Sequence, residues 1–373
     1  MNYLSKYLFW LALLLTSQLS FAANPIKVGE LEQINTQINY LQESNLTKTI
    51  SYPGASYIKL HVSKATLAAG DSVTISSPDN KQVYTYPGAG FTTDSFGGFW
   101  ALSIIGDTAI IELHRTPQQL NNIANLGIVI DKVARGLPKH EVEALITEST
   151  CGTNERTDVA CYQTSHPTEF NKSNAVARLL INNTTLCTAW RVSPNNYIFT
   201  NEHCITSQAD VNATEVWFNY QRAACGSGNA NTPTIVTGEQ LFVDDTTLDF
   251  ALFSVKNFAS IQSFGFLELD ARTPILNEEI YIPQHGAGNP KEFGIESDQN
   301  TANVCRIDIA TINNDTGYKC DTTGGSSGSP ILARSSNKVI ALHHLGGCNN
   351  QGVLIEKIQP LVQTYLGENN EDK

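Results

Sequence analysis

No cysteine occurs before position 151, and all eight lie from Cys151 onward, which divides the 373-residue chain into two unlike parts. None of the eight forms a Cys-x-x-Cys pair, so a zinc knuckle is disfavoured. An even count in an exported chain points instead to disulfides. Basic residues are scarce, 24 Lys and Arg against 36 Asp and Glu, and are nowhere clustered. The formal charge of -12 and isoelectric point near 5.1 argue against nucleic acid or an anionic lipid surface as partner. Beyond the first residues no stretch stays apolar long enough to span a bilayer. Internal repeats and low-complexity tracts are also missing.

What is present begins with an export signal. Lys6 precedes an apolar run over residues 7–15, too short for a membrane anchor, and Ser20-Phe21-Ala22 offers small residues where a signal peptidase inspects them. A signal peptide over 1–22 is expected. The remaining chain, about 350 residues, suits two domains of unequal size. Residues 23–56 read as an N-terminal tail or the start of a propeptide. Alternating apolar and polar runs at 57–62, 72–75, 99–105 and 108–113, broken by Gly, Pro, Asp and Asn, predict a small β-sandwich module over 57–115. Residues 116–150, with Gly136-Leu137-Pro138 as breakers, read as a linker. From Cys151 short strands recur between turns, and Ile358, Val362 and Leu366 stand at helical spacing. That pattern predicts an all-β double barrel over 151–366 closed by one C-terminal helix, then a tail over 367–373.

Three segments carry candidate chemistry. Ser327 lies in Thr322-Thr323-Gly324-Gly325-Ser326-Ser327-Gly328-Ser329-Pro330. A nucleophilic serine needs a backbone that turns sharply and aims N–H groups at an oxyanion; glycines permit both, and Gly325 and Ser327 would be the donors. An ordinary β-turn is the plain alternative. Ser329 replaces the second glycine of the α/β-hydrolase elbow, and the order His203, Asp249, Ser327 is not that fold's order either. His203 ends the apolar strand Tyr197-Ile198-Phe199-Thr200, and the adjacent Cys204 has Cys187 on the preceding strand to pair with. An imidazole is suited to take a serine proton near neutral pH. Asp249 stands at the mouth of the apolar run Phe250-Ala251-Leu252-Phe253, a costly place for a carboxylate unless it is paired, as by orienting a histidine. Asp244 and Asp245 sit in a more polar turn and rank below it.

Together these segments resemble the three signature segments of trypsin-like serine proteases, over about 151–366. The resemblance implies the chymotrypsin fold and a secreted, monomeric serine endopeptidase acting on proteins or peptides, without cofactor or metal. It makes Ser327 the nucleophile, His203 the general base and acid, and Asp249 the group that orients His203. It also implies an extracellular location, reached through the periplasm if the host is Gram-negative. The nucleophile segment, with Val339-Ile340-Ala341-Leu342-His343, is similar to bacterial glutamyl endopeptidases, whereas the cysteines resemble the bridging of bacterial lysyl endopeptidases. The implied bridges are Cys187–Cys204, Cys161–Cys225 and Cys151–Cys348, leaving Cys305 for Cys320.

The same resemblance places Asp321, Thr322 and His343 in the walls of the specificity pocket. Asp321, six residues before Ser327, would pair a Lys or Arg side chain; Thr322 with His343 would hydrogen-bond a carboxylate. Both specificities stay open, with the weight on the acidic one because two residues on separate segments must converge for it. Ser326 stands where trypsin-like enzymes hold the aspartate that captures a newly cut N-terminus, so that switch cannot operate. Residues 23–150 are then either a removable blocking segment or a retained domain. A non-catalytic binding protein on a protease fold is the alternative from another class.

Overall fold

The computed structural model describes residues 25–41, 46–88, 98–116, 123–145 and 150–367. The expected signal peptide and residues 368–373 of the expected tail lie outside the described residues.

The N-terminal part comprises β1 (Ile26–Lys27), β2 (Gly29–Asn39), β3 (Thr47–Ser51), β4 (Tyr57–Thr66), β5 (Ser72–Ser76), β6 (Val83–Pro87), β7 (Phe99–Trp100), β8 (Ile104–Ile105), β9 (Thr108–His114) and β10 (Gly127–Gly136), followed by helix α1 (Lys139–Leu145). Two antiparallel sheets, β2-β10-β4-β7 with β8 also on β4, and β3-β9-β5-β6, enclose one core. In β9 the alternate residues Ala109, Ile111 and Leu113 face inward, as period-two side chains on a half-covered strand must. This is a β-sandwich, and it is larger than the 57–115 read from the sequence. Residues expected as a tail supply β2 and β3, and residues expected as a linker supply β10, which pairs with β2 on one edge and β4 on the other. The covered face of β2 includes Glu30 and Glu32, both paired with Arg135 of β10, so it lacks the apolar alternation that marks a strand. In β10 a register shift between Ile130 and Lys132 breaks the period.

The C-terminal part comprises β11 (Thr157–Asp158), α2 (Pro167–Ser173), β12 (Val176–Ile181), β13 (Thr185–Arg191), β14 (Ile198–Thr200), α3 (Gln208–Asn212), β15 (Thr214–Phe218), β16 (Arg222–Ala224), β17 (Ser227–Ala230), β18 (Thr234–Asp245) and β19 (Phe250–Val255). It continues through β20 (Ile280–Gln284), β21 (Glu292–Gly294), β22 (Ile307–Ile312), β23 (Asp315–Tyr318), β24 (Pro330–Ala333), β25 (Val339–Leu345), β26 (Asn350–Leu354) and α4 (Ile355–Leu366). Strands β13-β12-β15-β18-β19-β14 form a ring, because β14 also pairs with β13. The second sheet runs β11-β21-β20-β24-β25-β26-β23-β22, and a bridge between Glu279 and Arg306 brings the start of β22 beside the start of β20. Trp190, Phe199, Phe250, Leu252, Leu332 and Leu342 join the two sheets in one core, over which α4 lays Ile358 and Val362. This is the chymotrypsin-like double-barrel architecture, with the C-terminal helix that the 355–366 spacing predicts.

The sandwich packs directly on the first barrel. Val28, Tyr57, Ala134 and Leu137 share a core with Leu180, Leu186 and Trp217. Glu215 of β15, 1% exposed, meets Lys59 Nζ of β4 at 2.9 Å and accepts from Ser103 N, Ser103 Oγ and Trp217 Nε1. The Arg178 guanidinium lies 4.3 Å from the centre of the Trp217 ring.

Candidate active site

His203, Asp249 and Ser327 lie on three loops that leave β14, enter β19 and enter β24, where the two barrels face each other. The Cys187–Cys204 disulfide ties the His203 loop to β13, and Asn201 Nδ2 donates to Asp249 O at 2.8 Å, tying it to the Asp249 loop. The carboxylate of Asp249 accepts from His203 twice: from the backbone N–H at 3.0 Å and from Nδ1 at 2.8 Å to Oδ2. Asp249 adopts a left-handed backbone, φ 46, sparsely populated for a residue other than glycine or asparagine. With Nδ1 donating to Asp249, the remaining ring nitrogen of His203, Nε2, is a buried acceptor with no partner among the described residues. Asp244 and Asp245 stay out of this arrangement; Asp245 caps its own turn through the N–H groups of Thr247 and Leu248.

A second histidine reaches the same carboxylate, and the sequence reading missed it. His344 Nδ1 lies 3.2 Å from Asp249 Oδ2, and its Nε2 lies at ion-pair distance, 3.2 Å, from Asp315 Oδ1. Burial pushes the His344 pKa down, but the two carboxylates outweigh it and raise it to about 9. Burial likewise pushes Asp249 up, yet the bonds from His203 and His344 hold it well below the usual carboxylate range. His343, beside it on β25 where the register shifts between His343 and Leu345, has other partners: it is buried, its Nδ1 is 2.5 Å from Tyr318 Oη, and burial with the nearby His344 and His203 pushes it down to about 3.

The raised His344 pKa has a stability consequence. Its folded value exceeds the unfolded value near 6.5, so the stabilisation is complete below about pH 6.5 and is lost as pH rises through about 9. Denaturant unfolding of a Ser327→Ala chain is expected to lose on the order of 3 kcal/mol across that window, and His344→Gln should flatten the loss. An equal fall in both chains would refute the assignment.

The loop that carries Ser327 is held from inside. Ser326 Oγ donates to Gln284 Oε1 at 2.5 Å and accepts from Thr323 N, while Ser329 Oγ and Ser329 N both donate to Ser326 O. Position 326 thus rigidifies the loop through neutral hydrogen bonds. Gly325 and Gly328 have φ of 93 and 86, and a Cβ on either would run into Leu186 or into Thr188 and Thr200. Thr188 of β13 clamps the loop's carbonyls, with Oγ1 donating to Gly325 O and N donating to Ser327 O. The N–H groups of Gly325 and Ser327 make no backbone hydrogen bond among the described residues.

Of the three residues expected in the specificity pocket, the structure separates one from the other two. Thr322 Oγ1 is buried with no hydrogen-bond partner among the described residues, and His343 is buried beside Tyr318. Asp321 is different. Its Oδ1 accepts from Cys151 N at 2.9 Å and its Oδ2 from Glu155 N at 2.7 Å, so its carboxylate anchors the start of the C-terminal part instead of offering a free charge. The cysteines are joined as Cys151–Cys348, Cys161–Cys225, Cys187–Cys204 and Cys305–Cys320. Cys187, His203 and Cys204 lie close enough to resemble a metal site, but the disulfide leaves neither sulfur as a thiolate ligand.

A model of the family described as "Lysyl endopeptidase, C-terminal domain" matches residues 150–352. The chain belongs to that family. It is also 32% identical over 322 residues to "Secreted RxLR effector protein 73" of Plasmopara viticola, covering 80% of this chain and 77% of that protein. Among solved structures it is similar to a Glu endopeptidase in complex with MPD, with 19% identity, a TM-score of 0.43, and coverage of 58% of this chain and 98% of the other. A serine endoprotease from Yersinia pestis gives 14% identity and a TM-score of 0.39, covering 52% and 64%. No helix among the described residues is long and apolar enough to cross a membrane.

Proposed function

We propose that the chain is a secreted serine endopeptidase that hydrolyses peptide bonds through an acyl-enzyme on Ser327. The observation that carries this reading is the His203–Asp249 pair: Nδ1 donates to the carboxylate, so Nε2 is left as the base. Ser327 Oγ attacks the scissile carbonyl as Nε2 takes its proton; the imidazolium, facing Asp249, then returns that proton to the leaving amine. Water repeats the sequence to release the acid. Gly325 and Ser327 N–H groups hold the oxyanion, in a loop whose φ angles only glycine adopts without strain. Four disulfides in the described residues support an extracellular site of action.

For specificity, the reading is cleavage after acidic residues. His343 Nδ1 pairs with Tyr318 Oη, whose hydroxyl also lies 3.2 Å from Gln351 O; with that hydroxyl turned to Nδ1 the ring keeps its proton on Nε2 as a neutral donor, and the unpartnered Thr322 hydroxyl is a second. Asp321, the acid a Lys or Arg substrate would need, already has its oxygens engaged. Digestion of an unstructured protein, with the new termini read by mass spectrometry, is expected to show cleavage after Glu. His343→Ala and Thr322→Val are each expected to lower kcat/KM on Glu peptides by about 10- to 100-fold, because a buried substrate carboxylate loses a donor. Cleavage after Lys or Arg that survives His343→Ala and disappears in Asp321→Asn would establish the basic specificity instead.

A further inference from the structure

We infer that β1 occupies the place where the leaving half of a substrate would pair, so the chain carries its own competitor for that side of the cleft. The inference rests on the reading of Ser327 as nucleophile for what the site does, and on β13 for where it lies.

In an antiparallel strand, alternate residues send their N–H and C=O groups to the same edge. Thr184 O accepts from Val28 N at 2.7 Å, and Ile26 and Lys27 stand opposite Leu186 and Thr185. Two residues further along that edge, Thr188 N donates to Ser327 O at 2.8 Å, and beyond it β14 pairs with Trp190 and Arg191. The edge of β13 therefore carries β1, the nucleophile loop and the histidine strand in succession. Leu186 also packs against Gly325, whose N–H is an oxyanion donor in the proposed mechanism. A peptide with its scissile carbonyl at that donor has Thr322 and His343 on its acyl side. On its other side runs the Thr184–Leu186 stretch of the β13 edge, which is suited to receive an extended strand. β14 does not reach it; β1 covers it.

β1 itself is only two residues long, Ile26 and the exposed Lys27, with Val28 N closing the pairing on Thr184 O, and a strand this short is a candidate for exchange. An extended substrate must displace it, whereas a substrate that ends at the scissile bond need not. The test compares two substrates carrying the residue that the digest identifies: an anilide with nothing beyond the scissile bond, and a peptide with four further residues. In Ile26→Pro the N–H at position 26 is removed from the ladder. The variant is expected to raise kcat/KM on the extended peptide about 10-fold and to leave the anilide within about 2-fold, the gain matching the released fraction of competent enzyme. A rise no larger on the peptide than on the anilide overturns the inference.

Binding supplies an arm that does not need catalysis. On a Ser327→Ala background, affinity for the extended peptide is expected to rise by the same factor with Ile26→Pro, and unchanged affinity overturns the inference. Absence of Ser327-dependent hydrolysis alongside improved binding would defeat the protease reading and leave the β1 contact standing. If Ile26→Pro impairs folding, amide exchange in the Ser327→Ala chain replaces it: the Val28 amide is expected to exchange faster when the extended peptide is added. Unaltered protection at saturating peptide overturns the inference.

Discussion

Ser327→Ala is expected to lower kcat by about three to six orders of magnitude, and His203→Ala by a similar amount, because nucleophile and base act as one unit and the remainder comes from binding and the oxyanion donors. The geometry ranks a third variant. Asp249 accepts from the His203 backbone and ring and lies against His344. Asn at 249 keeps the size but has one acceptor oxygen for these donors, and its amide repels a protonated His344. The loss expected for Asp249→Asn is about 10⁴-fold. Purified variants assayed on the peptide that the wild-type chain cleaves fastest give the answer; Ser327→Ala at wild-type rate would leave the chain without a catalytic assignment. Double variants add a sharper check, since Ser327→Ala combined with His203→Ala should lose little beyond either alone.

The three candidate segments stand out in the sequence because the proposed chemistry would constrain local composition, and the structure joins two of them directly, His203 Nδ1 to Asp249. A histidine at the end of an apolar strand, an aspartate at the mouth of another and a serine among glycines each violate what a plain strand or turn requires, and they occur in one order. The surroundings of the expected pocket residues were less legible. Asp321 offers a carboxylate in the sequence, but two backbone N–H groups some 170 residues upstream claim it, and no local pattern announces such a contact. His344 had a signal. It stands next to the candidate His343, but the register shift between His343 and Leu345 upsets plain alternation there, and that Asp249 and Asp315 meet it is decided by packing of distant segments. The sandwich boundaries failed for a related reason: β2 and β10 satisfy polar side chains across the sheet, so their strand character lies in pairing more than in hydrophobic period.

Whether the sandwich is a detachable propeptide or a permanent partner turns on Glu215. Its carboxylate is 1% exposed, and Lys59, which meets it from the sandwich at 2.9 Å, is 4% exposed. Glu215→Ala leaves that ammonium, the Ser103 groups and Trp217 Nε1 buried without their acceptor. The expected cost is about 3–5 kcal/mol, the range for removing one member of a buried pair. Lys59→Met should cost a comparable amount, because the carboxylate then keeps only neutral donors. The double variant Lys59→Met/Glu215→Leu removes both charges together and is expected to recover much of the loss, since the desolvation of each ion disappears with the other. Urea unfolding of the three variants on a Ser327→Ala background, followed by Trp fluorescence, measures all of these terms. If the sandwich is permanently docked, both single variants unfold at lower urea in the same cooperative transition as the barrels. An early, separate transition that leaves the midpoint of the barrels unmoved would instead mark the sandwich as a unit that the barrels can shed.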